Sequence, residues 1–401
     1  MKLINIWYRT YQLGQALASY FVYWPKAKKI TGIGCRKEIP SLLKEKNISK
    51  VMVVTGSHVG KSIAPEILEN LAANNIDYYH YSKVQANPTT TTVYEIRDLY
   101  NSEGCDGFLA IGGGSPLDAA KAAGCLIVRP KKALGDMAGL LKVMKKLPPF
   151  VAVPTTSGTG SETTMASVIT DAETHHKYAI MDMHIVPDYA VMDPELTKNL
   201  PQKTTSTTGM DALTHAVEAY LCINNYTRES RRFAEEATVL IFDWLEKAYN
   251  NGADLEARSK MLEAAYKAGF TFSRSGVGNV HAIAHTLGGL YGTPHGLANA
   301  VILPIVLEDY GSAAYKDLSK LAEITGTKTS GTDEEKAKAF IAEVYAMNER
   351  MGIPKTLDVI QEKDIPQMIT WALAEANPVY PVPVIYDRER CERVIRRIMG
   401  Q

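Results

Sequence analysis

Almost nothing in this 401-residue sequence is lopsided. Lysine plus arginine and aspartate plus glutamate number 44 each, so no surplus of either sign draws the chain to nucleic acid or an anionic membrane. Cysteine is scarce. The five, at 35, 105, 125, 222 and 391, are odd in number, scattered, and nowhere spaced as Cys-x-x-Cys. That argues against a disulfide framework and for a reducing compartment, by default the cytoplasm. No apolar run reaches the roughly 18 residues a membrane span needs. The richest stretch, residues 3–24, is interrupted by Arg9, Gln12 and Gln15 and followed by Lys26, Lys28 and Lys29. It reads as an N-terminal helix packed on the protein or on a partner subunit, in preference to an export signal or a helix lying on a membrane. Internal repeats and long low-complexity linkers are lacking too. What is left, 46% apolar and 22% charged residues, is the composition of an ordinary globular chain long enough for two domains.

The pattern changes once along the chain. From about residue 30 to 195, short β-rich runs alternate with helical stretches, the signature of a parallel α/β sheet. Val51–Thr55, Phe108–Ile111 and Phe150–Val153 read as strands and 61–74 as a helix. A polar or glycine-rich turn follows each of these strands, at the end where open α/β sheets bind ligands. Beyond residue 200 the strand signals fade. The stretches 206–222, 228–250, 254–272, 313–323, 333–351 and 389–399 read as helices. The division expected is therefore an N-terminal extension over 1–29, an α/β nucleotide-binding domain over 30–200, and an all-helical metal-binding and catalytic domain over 201–401.

The helical half holds four histidines and an aspartate in two short stretches: Asp211 and His215 in one, His281, His285 and His295 in the other. Residues four apart share a helix face, so Asp211 and His215 project together, as do His281 and His285. A lone histidine on an apolar face is usually a satisfied core residue. A carboxylate with three imidazoles, and a fourth imidazole one turn away, instead makes a complete donor set for a divalent transition metal. Nitrogen-rich with one oxygen, that set suits Fe2+ or Zn2+.

In the other half, Gly112, Gly113, Gly114 and Ser115 lie between a strand and the small-residue helix that begins near Asp118. Glycines let backbone approach a pyrophosphate, and the helix start offers free N–H groups. Leu117 stands where a dinucleotide fingerprint has its third glycine, so the motif alone is weak. Thr155 to Ser161 carries five hydroxyls after a buried strand and reads equally as a turn or a cofactor loop. Gly56 to Ser62 imitates a triphosphate loop but is one residue short between its glycines.

Taken together, Gly-Met-Asp-Ala-Leu-Thr-His-Ala at 209–216, His-Ala-Ile-Ala-His-Thr-Leu-Gly-Gly at 281–289, Pro-His-Gly-Leu-Ala-Asn-Ala at 294–300, Gly-Gly-Gly-Ser-Pro-Leu-Asp at 112–118 and Pro-Thr-Thr-Ser-Gly-Thr-Gly-Ser-Glu at 154–162 resemble the iron-containing (group III) alcohol dehydrogenases, in that family's order. The resemblance runs from about residue 30 to 400 and leaves the N-terminal segment outside it. It implies the two-domain architecture shared with dehydroquinate synthase, and a metal-dependent oxidoreductase that moves a hydride between NAD(P) and a small alcohol or aldehyde. Asp211, His215, His281 and His295 would hold iron, which polarises the substrate oxygen, and His285 would pass a proton or orient the substrate. Gly112, Gly113, Gly114, Ser115, Asp118, Thr155, Thr156, Thr159, Asn87 and Lys177 would fall on the cofactor side. NAD-preferring members typically end the strand matching Val51–Thr55 with an aspartate that repels a 2′-phosphate. Here Gly56 and Ser57 stand there, so NADP is expected, with NAD the alternative. The resemblance also implies a homo-oligomer, a dimer or higher.

The competing reading is a dehydroquinate-synthase-like or glycerol-dehydrogenase-like enzyme on the same architecture. Phosphate and carboxylate substrates of the former need clustered Lys and Arg. Residues 275–300 contain neither, and Arg274 alone stands beside them. That uncharged wall fits a small alcohol or aldehyde, although it does not say which.

Overall fold

Strands that are apolar on both faces need cover on both faces, and the sheet is built accordingly. A computed structural model describes residues 3–19, 21, 23–174, 176–224 and 227–401. Nine strands are described: Lys28–Thr31 (β1), Lys50–Gly56 (β2), Asp77–Val84 (β3), Gly107–Gly112 (β4), Gly139–Leu140 (β5), Phe150–Pro154 (β6), Ala166–Thr170 (β7), Lys177–Met181 (β8) and Tyr189–Met192 (β9). Six form one parallel sheet in the order β1-β9-β6-β4-β2-β3, and β5-β8-β7 form a small second sheet. Side chains alternate across the main sheet. Met52, Val54, Phe108 and Ala110 enter one core with Val93, Ile96 and Leu117, while Val51, Val53, Leu109 and Ile111 enter the other with Ile39, Leu43, Ile67 and Leu71.

The helices are Leu3–Ser19 (α1), Ile39–Glu45 (α2), Ser57–Ser62 (α3), Ala64–Ala73 (α4), Thr90–Ser102 (α5), Gly114–Val128 (α6), Gln202–Leu221 (α7), Arg228–Asn250 (α8), Leu255–Ser275 (α9), Asn279–Tyr291 (α10), His295–Tyr310 (α11), Tyr315–Ile324 (α12), Asp333–Arg350 (α13), Ile365–Ala376 (α14) and Arg388–Ile398 (α15). In the helical part, α7 packs against α8 and α11, and α10 against α11 and α14. No described helix is long and apolar enough to cross a membrane.

The structure departs from the sequence reading at several elements. The helix expected over 61–74 is two, because Pro65 sits in the first turn of α4 and breaks the ladder at Ile63. Helix α14, not expected, also begins with a proline in its first turn. The first strand starts at Lys28, inside the expected extension: β1 is an exposed edge whose Lys28 and Lys29 stand in register with Tyr189 and Ala190 of β9. The chain forms two compact units that part at Leu200 and Pro201. One comprises Met1–Tyr23, Pro201–Gly252 and Glu263–Gln401, the other Trp24–Leu200 and Ala253–Leu262.

Helix α1 packs on its own unit. Gln12 and Ala16 are buried, whereas Leu3, Trp7, Leu13 and Leu17 face outward.

Candidate metal centre and nucleotide cleft

Helix α7 is buried along nearly its whole second half, so its polar residues there must find partners. Asp211, His215 and Glu218 recur at i, i+4 and i+7 and so share one face. His281 comes from the first turn of α10. His295 opens α11 after the left-handed Gly292 ends α10. That return needs a second glycine: a Cβ on Gly296 would lie 2.4 Å from the Thr207 carbonyl, so only glycine lets α11 approach α7 this closely.

These elements bring Asp211, His215, His281 and His295 together, with one ligand atom from each lying within 4.8 Å of all the others. His285 is not in that group. Its ring stacks on His295 at 5.2 Å between centroids, and its Nδ1 lies 2.7 Å from Glu375 Oε1. The four-atom cluster is lined by acceptors. The Asn299 side-chain amide donates to Asp211 Oδ1 at 2.6 Å and lies 3.2 Å from His281 Nε2 and 3.1 Å from His295 Nε2. A group of positive polarity thus sits where a carboxylate and two imidazole lone pairs converge, and the donor set fits a divalent cation.

Glu218 supplies the next layer. It accepts from the backbone N–H of Gly278 and Val280 at 2.9 and 2.7 Å, and from His281 Nδ1 at 2.5 Å. The bond fixes the tautomer of His281 and leaves Nε2 for a ligand. Burial pulls the His281 pKa down, but the hydrogen bond and charge of Glu218, with Asp211, more than offset this and hold it above the usual value. The same carboxylates that attract a proton attract a metal ion. Glu218→Gln keeps the volume but removes the charge, and is expected to weaken metal affinity roughly 10–100-fold, read by chelator competition on the purified protein. An unchanged affinity would leave Glu218 a purely structural cap.

In the α/β unit, Gly56, Ser57, Gly112, Gly113, Gly114 and Ser115 line one cleft of about 750 Å³ at the C-terminal ends of β2, β3 and β4. The Thr155–Ser161 loop closes on these glycines: a Cβ on Gly114 would lie 2.9 Å from the Thr159 side chain, and one on Gly113 would lie 3.2 Å from Thr156 Oγ1. Thr155 donates its backbone N–H to Gly112 O at 2.9 Å. The N-cap of α6 is Gly113, without a side-chain cap, so its first N–H groups are open to an anion.

Lys177 Nζ donates to Asn87 Oδ1 at 2.8 Å, joining two residues the sequence reading put on the cofactor side. Asp118 is different. Its oxygens accept from Ser161 Oγ at 2.7 Å and Val168 N at 3.1 Å, so it organises the hydroxyl loop from beneath.

Several residues escaped the sequence reading. Lys121, fully buried, donates to the Ser161, Thr164 and Ala166 carbonyls, and burial, opposed by Asp118, lowers its pKa to about 8. Lys83, His58 and Ser82 line the cleft beside Gly56 and Ser57. Two signals were available: Asn299 is four residues after His295, and Glu218 seven after Asp211, both helix-face spacings.

The sequence matches the iron-containing alcohol dehydrogenase family over residues 26–194, and the C-terminal domain of the Fe-containing alcohol dehydrogenase family over 205–399. It is 37% identical over 340 residues to an NAD-dependent methanol dehydrogenase of Bacillus methanolicus, covering 84% of this chain and 88% of that one. It is 36% identical over 323 residues to an NADPH-dependent butanol dehydrogenase of Clostridium saccharobutylicum, covering 79% and 82%. A crystal structure of a 1,3-propanediol oxidoreductase superposes with a TM-score of 0.89 at 32% identity, covering 94% of this chain and 99% of that one. Fold, motif order and both matched halves agree: the chain belongs to the iron-containing alcohol dehydrogenase family.

Proposed function

We propose that this protein interconverts a small alcohol and its aldehyde with NADP, and that Asp211, His215, His281 and His295 hold one divalent ion, Fe2+ in preference to Zn2+. The observation that carries the reading is the convergence of those four ligand atoms. When bound, such an ion supplies Lewis acidity toward the substrate oxygen. The nicotinamide supplies or accepts the hydride. The chain's own residues do the rest. Gly113, Gly114 and the open start of α6 receive the pyrophosphate. Thr155, Thr156 and Thr159 with the Lys177–Asn87 pair flank the ribose and nicotinamide side, and Asp118 holds that loop through Ser161. His285 holds or moves the proton of the substrate hydroxyl. The five buried thiols support a reducing compartment, the cytoplasm.

The anionic-substrate alternative loses Arg274, the cation that stands beside residues 275–300 in the sequence. Arg274 is paired with Glu229 at 3.5 Å and stacked 4.2 Å from the Phe270 ring centroid. Turnover of a panel of short aldehydes and alcohols with NADPH and NADH, after reconstitution with iron or zinc, tests the reading; no turnover of any of them would sink it.

The relatives named above include one NAD-dependent and one NADPH-dependent enzyme, so the preference for NADP rests on the cleft. Gly56 offers no carboxylate, and Lys83 brings a cation to the same wall. Wild type is expected to show the higher kcat/KM with NADPH, and Gly56→Asp to reverse the order by about 1–3 kcal/mol, roughly 5–150-fold. The backbone at Gly56, with φ −79°, accepts a side chain, but its Cβ would lie 3.1 Å from Val84 O. Lys83→Ala is therefore the companion variant: it should lower kcat/KM with NADPH and leave NADH unchanged. A tenfold wild-type preference for NADH would overturn the assignment.

A further inference from the structure

We propose that the N-terminal helix α1, all of which precedes the family match at residue 26, is a positioning element for His285. Its Arg9 and Gln12 fix the proline-rich segment 378–384, and through it the hydrogen-bonded chain Tyr380–Glu375–His285. The proposal rests on the proton-handling role given to His285 above.

The segment Pro378-Val379-Tyr380-Pro381-Val382-Pro383-Val384 has three prolines, none of which can donate a backbone hydrogen bond. It cannot join a ladder, yet its carbonyls need donors. Helix α1 supplies them. Gln12 Nε2 donates to Pro378 O at 3.0 Å and Tyr380 O at 2.9 Å. Arg9 donates to Val382 O at 2.8 Å and Pro383 O at 3.1 Å, and to Gln12 Oε1 at 2.8 Å, so the two side chains form one clamp. Gln12 is only 3% exposed, which commits its donors to this task.

The other side of the same segment reaches the site. Tyr380 OH donates to Glu375 Oε1 at 2.7 Å, the oxygen that also lies 2.7 Å from His285 Nδ1. Burial raises the Glu375 pKa, but His285 and Tyr380 outweigh it and hold the carboxyl below its usual range, as an acceptor. An acceptor at Nδ1 puts the proton there and leaves Nε2 as the ring atom able to accept one. Asn279, the first residue of the helix that carries His281 and His285, donates to Val384 O at 3.1 Å. A segment held by four side-chain bonds from α1 therefore sets both the ring angle of His285 and the entry to its helix. Loosening the clamp costs orientation at the reacting proton without touching a metal ligand.

The test uses the full chain with its metal. Arg9→Ala/Gln12→Ala removes the clamp, and Gln12→Met keeps the volume while losing both Gln12 donors. Hydrogen exchange of the peptide covering 377–386 should rise in both, metal content should stay at the wild-type level, and KM for NADPH should stay within about twofold. With these unchanged, kcat should fall, by roughly fivefold or more for the double variant. In a Glu375→Gln background the same two substitutions should lower kcat less than about twofold, because coupled residues do not add. Exchange that does not rise, kcat that does not fall, or an equal fall in the Glu375→Gln background would each overturn the proposal. So would loss of the ion, which would mark general unfolding of the site. The relay reading fails separately, through an inert His285→Gln.

Discussion

Alanine at Asp211 or His281 is expected to leave purified protein with almost no bound ion, where wild type retains about one per chain, and to abolish turnover with either nucleotide. The physical reason lies in how the ligands are held. His281 is locked by Glu218, and Asp211 is buried and bonded to Asn299, so neither neighbour can swing into the gap. Removing one donor leaves three that do not close around an ion, and a loosely held ion exchanges during purification. Element analysis and kcat on the same preparation check the outcome, with circular dichroism to show that α7 and α10 persist. Loss of Asp211 also leaves the Asn299 amide without an acceptor it now has, so some loss of thermal stability should accompany it, about 1–3 kcal/mol. Full turnover in a rigorously metal-free preparation would refute the metal reading altogether.

That the candidate ligands Asp211, His215 and His281 were legible in the sequence follows from helix spacing. Asp211 with His215, and His281 with the neighbouring His285, are i, i+4 pairs, and a helix turns such spacing directly into a shared face. Strands β2, β4 and β6 were legible for a similar reason: each is buried on both faces and reads as a continuous apolar run. Strand β1 was not, since an edge strand with two exposed lysines carries its information in the backbone of β9. Pro65 and Pro366 mark helix starts that the sequence reading passed over: it ran one helix through Pro65 and read none at Pro366, yet each proline occupies a first turn, where no N–H is required. The supporting layer was the least visible. Glu218 sits at the right spacing but among residues that also suit a solvent-facing stripe, and Glu375 is 90 positions from the histidine it holds. No local pattern encodes that pairing; only the packing of α10 against α14 creates it. The clamp from α1 is equally non-local, reaching from Arg9 across 373 positions to Val382.

His285→Gln separates the proton from the metal. One ligand atom each from Asp211, His215, His281 and His295 converges within 4.8 Å, and His285 stands outside that set. Its Nδ1 is committed to Glu375, which leaves Nε2 as the ring atom that can exchange a proton. The ring is only partly exposed, at 16%, and stacks on His295, so it stands beside the cluster while keeping a route to solvent. Glutamine keeps a polar side chain there and can still reach Glu375 through its amide, but it cannot take up and release a proton at neutral pH. The variant is therefore expected to retain its ion and bind NADPH as wild type does, while kcat falls at least about 10²-fold, the usual worth of a positioned acid–base group. Imidazole added to the assay should restore part of the loss, because it replaces the missing proton carrier without a covalent link. Three measurements decide: metal content, nucleotide affinity and kcat with and without imidazole. Loss of the ion would make His285 a ligand, and unchanged kcat would make it a packing residue that joins α10 to α14.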